Sequence, residues 1–417
     1  MNTFIKLKYI RIFSILLLLS FGSFFITSCG GDPGPQPDLA MWTGMGGEEL
    51  IALKEITERF NSESGLYVSV INVPFNELRI KYQIAAPAGQ GPDLLSGPQD
   101  WIGALATADL ITPLSQVEFT PEQRNKYNPI GLENMTYNRE IYGIPFFLET
   151  IAVIYNTDII KVPPETMDQL IQDAVTYNDR DQNKYGFFFE VNNMYFAWPF
   201  LAGYGAEIFA EKDGKLQVDK VLLNSPETIE GLRLLSGLKN KYDIIPSGAT
   251  TDMMNGIFYE RNMPFCLNGP WMLGEIKKKE IPFDVMPLPV LPNGQPPRPF
   301  VGVQGIMLNK QAKNRDLAVR FMHFLNRPEN QKILCLAAGR IPSRYDTLEE
   351  LHEFEAIHKF AKAAELGTPM PNHPAMNAVW TPMNEALTLI INDGIDPEKV
   401  LPEQVKRIEE DIRLMME

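Results

Sequence analysis

Between Leu39 and Leu95 the chain switches repeatedly between strand and helix periodicity, and this alternation limits the fold more than any other feature. Leu39-Ala40-Met41-Trp42 is a short apolar run of strand type. Leu50, Leu53, Ile56 and Phe60 then recur at helical spacing with Glu and Lys between them, as far as Gly65, a residue type common just past a helix end. The stretch 66–73 is rich in Val and Ile and reads as a strand. Residues 77–86 place Leu78, Tyr82 and Ala85 on one helical side before Gly89 and Gly91 interrupt, and Asp93-Leu94-Leu95 reads as a short buried strand. Strand, helix, strand, helix, strand predicts an α/β domain with a mostly parallel sheet. Ligands of such sheets lie beyond the carboxyl ends of the strands. Those ends are the loops 42–47 and 96–101, each carrying glycines and a tryptophan.

The same style continues downstream. Strands are expected at 151–155, 264–267 and 283–288, and helices at 166–177, 226–238, 250–259, 312–325, 328–338, 348–365 and 402–416, with a Pro-rich connector at 292–299. No repeat of fixed period is present. The first residues form a separate element. Lys6, Lys8 and Arg11 precede an uncharged stretch, 12–27, dominated by Leu, Ile and Phe. This is a signal-peptide pattern, shorter than the ~20 residues of a spanning helix. It ends in Ile26-Thr27-Ser28-Cys29, which resembles a bacterial lipobox; that resemblance implies cleavage after residue 28 and lipidation of Cys29, the other reading being an ordinary leader followed by an unmodified cysteine. The next nine residues, GGDPGPQPD, hold three Gly and three Pro, so 29–38 is expected to be a lipidated Cys and tether.

The remaining body, about 380 residues, is too long for one ordinary core and implies two domains. Its 45% apolar and 22% charged residues are those of a globule. Loss of three basic residues with the leader takes the net charge from −14 to −17. An acidic surface repels nucleic-acid phosphates and anionic lipid heads, so no nucleic-acid partner is expected. Cys266 and Cys335 lie in apolar runs and read as inert core thiols rather than a bridge.

Enzyme signatures are mostly absent. There is no G-x-S-x-G, H-E-x-x-H, C-x-x-C, P-loop or G-x-G-x-x-G. His352 and His358 are six apart and fall on different helix faces, so no metal site is expected. Carboxylates are numerous, and a glycosidase pair is not excluded by residue types alone. The aromatic inventory says more: of tryptophans 42, 101, 198, 271 and 380, four border Gly, Pro or Asp loop signals. Aromatic faces stack on the C–H faces of sugar rings while carboxylates and amides accept hydroxyl hydrogens; the alternative is that these indoles fill cores.

Local motifs bring a family into view. Gly91-Pro92-Asp93-Leu94-Leu95, Ile144-Pro145 with Glu149 and Ile154-Tyr155-Asn156, Tyr195-Phe196-Ala197-Trp198-Pro199, Asn268-Gly269-Pro270-Trp271, Pro299-Phe300-Val301-Gly302-Val303, and Met370-Pro371-Asn372 leading to Trp380 occur in that order. From Leu39 to Trp380 the sequence resembles the bacterial maltose/maltodextrin-binding proteins, solute receptors of ABC importers. The resemblance implies a two-lobed periplasmic-binding-protein fold of α/β class with a hinge of crossing segments near 148–152, 299–303 and 341–346. The first lobe would be 39–148 with 303–342 and the second 152–299 with 345–417. It implies a non-enzymatic, extracytoplasmic monomer that needs no cofactor, closes on an oligosaccharide, and passes it to permease subunits while the lipid on Cys29 holds it to a membrane.

Site residues carry over one at a time. Asp100 and Glu149 match acceptors for sugar hydroxyls, Tyr195 and Phe196 match groove aromatics, Trp271 and Trp380 match stacking tryptophans, and Met370 matches a methionine near the sugar. Departures exist. The loop 43–48 lacks the family's Asp-Lys pair, Gly97 stands where a stacking tryptophan is expected, and Asn193 stands where a groove glutamate is expected. Trp101 replaces an arginine and is a candidate to restore the stacking surface lost at Gly97. A maltodextrin is the leading ligand, with trehalose, sucrose or another gluco-oligosaccharide left open. A non-sugar ligand on the same fold and a secreted glycoside hydrolase are the remaining readings.

Overall fold

The computed structural model describes residues 36–212, 215–246 and 248–416. The leader, Cys29 and most of the tether lie outside the described residues. Two sheets of different size organise the rest. The larger runs in the order Ile341–Pro342, Gly143–Glu149, Phe300–Asn309, Leu94–Pro98, Leu39–Thr43, Val68–Asn72. Leu39–Thr43 lies between Val68–Asn72 and Leu94–Pro98, parallel to both, as the opening alternation requires. Phe300–Asn309 runs antiparallel to Leu94–Pro98 on one side and to Gly143–Glu149 on the other. Its ends also pair with Thr368–Pro369 and Ile111–Thr112.

The smaller sheet is Phe283–Met286, Ala152–Asn156, Phe265–Asn268, Phe187–Phe188. Its central pairings are antiparallel, and Phe187–Phe188 adds in parallel. Glu149 closes a strand of the larger sheet and Ala152 opens one of the smaller, so the chain changes sheets within three residues.

Helix Gly47–Ser64 forms because Leu53, Ile56 and Phe60 align on one buried face. Phe60 packs edge-on against Phe321 and Phe324, each at 5.0 Å, on the helix Arg315–Leu325. Phe187, Phe188 and Phe189 anchor the core around the smaller sheet. Cys266 and Cys335 are free and buried, and burial pushes both thiols well up from their ordinary pKa. Among the described residues no helix is long and apolar enough to cross a membrane.

The local patterns locate most elements and misplace some boundaries. The stretch 348–365 is two helices, Tyr345–Glu350 and Glu355–Glu365, with a turn between them. The last helix starts at Pro397 and carries Pro402 inside it. Strand Gly143–Glu149, most of strand Phe300–Asn309 and helix Met376–Leu387 give no clear periodic signal. The two strands are buried almost throughout, so they lack the alternation that marks a one-sided strand.

Candidate functional site

The carboxyl end of Leu94–Pro98 turns through the short 3-10 helix Gln99–Trp101, which carries three side chains inward. Gln99 Oε1 accepts the backbone N–H of Val303 at 2.6 Å, pinning this turn to the long strand. Asp100 follows and is only 5% exposed. Burial raises its pKa to about 6; the nearby Arg79 guanidinium and the Trp380 indole N–H beside it oppose the rise, and Glu149 adds to it. Arg79 itself reaches Asn377 on the helix Met376–Leu387, which also bears Trp380.

Trp101 lies over Gly97. A Cβ at position 97 would stand 2.6 Å from the indole, so the glycine is what lets the ring lie there. The ring also meets Phe75, centroid to centroid at 5.5 Å.

A second group of aromatics gathers around Phe300, the first residue of the long strand. Trp198 stacks on it at 4.8 Å, Tyr195 lies at 6.2 Å, and Trp380 meets it edge-on at 6.1 Å. Tyr195 is the second residue of the helix Met194–Gly203, where the Asn193 side chain accepts its backbone N–H as an N-cap. The same tyrosine lies 6.4 Å from Trp271 and 5.7 Å from Phe196. Trp271 projects from the 3-10 turn Pro270–Met272 beyond the strand Phe265–Asn268. Met370 is buried, its backbone N–H donating to Val301.

The third component is a buried charge cluster. Glu149 Oε2 accepts from Gln304 Nε2 at 3.1 Å, and its other oxygen is paired with Arg340. Arg340 also clasps Glu49 through two hydrogen bonds, 2.8 and 2.9 Å. Burial raises the Glu149 pKa and Glu49 adds to it, while Arg340 and Gln304 oppose it. Burial works against the charge on Arg340, but the two glutamates outweigh it, and the guanidinium stays cationic.

The eight expected site residues fall into this arrangement unequally. Asp100 with Trp380, and Tyr195 with Trp271 and Phe196, are in direct contact. Glu149 couples electrostatically to both Asp100 and Tyr195. Met370 comes near the same ground, since its Cε and the Gln99 side chain both face the open side of Gly302. No ring contact joins Trp101 to the Trp271 and Trp380 group among the described residues.

Gln99, Arg79, Phe300 and Arg340 were not anticipated. Gln99 adjoins Asp100, and Arg340 follows a helix-ending glycine beside an expected crossing, so both had a weak positional signal. Phe300 lies in one of the ordered motifs but without an assigned role, and Arg79 had no signal, because its partners are far away in sequence.

Two polar atoms here are buried without a hydrogen-bond partner: Gln99 Nε2 and Tyr195 Oη. Such groups are uncommon in folded proteins, and a water or a bound ligand can supply the missing bond. The site therefore offers aromatic faces, two carboxylate acceptors, an orphaned amide donor and an orphaned hydroxyl. Its carboxylates Asp100, Glu149 and Glu49 outnumber the guanidiniums Arg79 and Arg340; Arg340 is paired with Glu49 and Glu149, and Arg79 is bonded to Asn377 and lies near Asp100.

Comparison with known proteins agrees with this chemistry. Residues 55–366 match the profile of the bacterial extracellular solute-binding proteins. The chain is 32% identical over 361 residues to a maltotriose-binding protein of Pyrococcus abyssi, covering 85% of this chain and 78% of that one. It is 24% identical over 426 residues to a maltooligosaccharide ABC transporter solute-binding lipoprotein of Streptococcus pneumoniae, covering 97% and 98%. The solved structure of Thermus thermophilus maltotriose binding protein bound with maltotriose superposes with a TM-score of 0.85 at 33% identity, covering 90% of this chain and all of that one.

Proposed function

This chain belongs to the bacterial extracellular solute-binding proteins, and from that premise we propose that it captures a maltodextrin between its two lobes and delivers it to an ABC importer. It is a binding protein and not an enzyme, and its fold is the two-lobed α/β fold of that family. The observation that carries the ligand class is the meeting of Asp100 with Trp380 beside the orphaned Gln99 amide. Indole faces cover the apolar sides of a sugar ring, and carboxylates and amides take its hydroxyls. Asp100, Trp101, Glu149, Tyr195, Phe196, Trp271, Met370 and Trp380 are the proposed ligand contacts.

The lobes are proposed as 39–148 with 303–342 and 152–299 with 345–417, hinged near 148–152, 299–303 and 341–346. The abrupt change of sheet between Glu149 and Ala152 supports the first crossing. The leader and Cys29 support a lipid anchor that holds the protein outside the cytoplasm near its permease, a reading that the Streptococcus pneumoniae lipoprotein relative also favours.

Maltotriose is expected to raise the melting temperature by several degrees. A ligand that binds only the folded form at a hundred times its Kd stabilises by about 2.7 kcal/mol. A differential-scanning panel should include maltose, maltotriose, trehalose, sucrose, a galacto-oligosaccharide, inorganic phosphate and a polyamine. A rise with none of the sugars, or only with a charged solute, would overturn the reading. Chromatography of the same mixtures should return the oligosaccharides uncut.

A further inference from the structure

Arg340 sits where three parts of the chain converge. It follows Gly339, which ends the helix Pro328–Ala338 at φ +72. It precedes the strand Ile341–Pro342, which pairs with Leu148 and Phe147 beside Glu149. A Cβ at Gly339 would come within 2.5 Å of the Leu273 Cβ and 2.8 Å of the Pro270 carbonyl. The glycine thus lets this segment press against the turn that carries Trp271.

Arg340 is 8% exposed, and its guanidinium faces four groups at once. Its Nε and Nη2 hold Glu49, its Nη1 holds Glu149, and its Cζ lies 5.5 Å from the Trp271 ring centroid and 5.7 Å from that of Phe147. Glu49 stands in the first turn of the helix Gly47–Ser64 and is itself buried.

We propose that Arg340 is a positioning residue of the ligand site, anchored by Glu49, that holds Glu149 as an oriented carboxylate acceptor and sets the face of Trp271. This rests on the sugar-binding reading above and deepens it. The planar fork is the feature that matters, because one guanidinium serves two carboxylates and an aromatic face together, which an ammonium does not. Gln304 and Arg340 each take one Glu149 oxygen, which leaves the carboxylate its remaining lone pairs for ligand hydroxyls. The charged or titratable groups facing Glu149 are Arg340, Glu49, Asp100 and Tyr195. Arg340 is the one cation among them. Without it a buried Glu149 beside two other carboxylates takes up a proton and presents a donor where the ligand needs an acceptor.

The test is maltotriose titration calorimetry from pH 5.5 to 8.5 on the wild-type chain, Arg340→Met, Arg340→Lys, and Arg340→Met combined with Glu149→Gln. Arg340→Met is expected to bind at least tenfold more weakly. The ratio of its affinity to that of the wild type should change with pH as Glu149 titrates; any contribution from Asp100 that both proteins share cancels in that ratio. Adding Glu149→Gln should make the ratio flat with pH. If Arg340→Met does not fold, Arg340→Lys carries the test, with an expected loss of about fivefold at unchanged net charge. An Arg340→Met protein that binds within twofold of wild type at every pH overturns the proposal, as does a pH-independent loss in Arg340→Met that Glu149→Gln leaves unaltered, or an Arg340→Lys that binds like wild type. Failure of the wild-type chain to bind maltotriose is a different outcome, and it sinks the sugar reading instead.

Discussion

Trp271→Ala and Trp380→Ala should each weaken maltotriose binding by about 1–3 kcal/mol, roughly five- to 150-fold, the range found when a buried aromatic anchor is truncated. Both rings are only half-buried, whereas Phe300, which Trp380 and Tyr195 both meet, is fully buried. A ring with a free face can stack on a ligand, and Phe300 instead backs the group. Trp198 is the internal control. Its ring stacks flat on Phe300 at 4.8 Å, and its indole N–H donates to Thr368 Oγ1 at 3.2 Å, so its capacity is used inside the fold. Trp198→Phe should therefore lower stability while leaving affinity within a fewfold of wild type. Calorimetry on the three variants separates the roles. Equal affinity losses in all three, or none in Trp271→Ala and Trp380→Ala, would remove the stacking argument.

Asp100→Asn should stabilise the ligand-free protein at pH 7 by up to about 3 kcal/mol while reducing its affinity for sugar. The folded-state pKa of Asp100 is raised from 3.8 to about 6 by burial. A raised carboxylate pKa means that the native state binds more protons than the unfolded chain between about pH 4 and 6. Stability from this group is thus present at the acidic end and is lost as pH rises through 6, at 1.36 kcal/mol per pKa unit. Asparagine does not titrate and escapes that cost. The opposite sign belongs to Glu118, whose pKa is lowered to about 2, above all by its hydrogen bonds from Arg315. Its contribution is present above pH 4.5 and falls away toward pH 2, a window that barely overlaps that of Asp100. Urea melts of wild type and Asp100→Asn across pH 4–8 should show a stability gap that opens between pH 4 and 6 and then levels off. A gap that stays constant over that range would mean that Asp100 is not the strained acid described. Binding proteins commonly keep such costly groups because the ligand satisfies them.

The opening α/β unit was readable because its signals are local. Periodicities of two and 3.6 residues need no knowledge of distant chain, and 39–98 folds as that reading requires. The leader and the ordered aromatic motifs were equally visible, and they were sufficient to indicate the family. Phe300–Asn309 was different. Its first residues fall in the expected crossing near 299–303, and they open a ten-residue strand that bonds to neighbours on both sides. Nothing within those ten residues specifies partners that lie between 153 and 214 positions away.

The site divides in the same way. Sequence alone determined that the chain carries tryptophans and carboxylates in loop contexts suited to carbohydrate, on an α/β scaffold, behind a first segment that reads as an export signal. Tertiary structure alone decided that Asp100 meets Trp380, and that Arg340 reaches back 291 residues to Glu49 and 191 to Glu149. The physical reason is that hydrophobic periodicity reports what one element buries, whereas the charge state of a buried acid and the free face of an indole depend on which other elements arrive beside it.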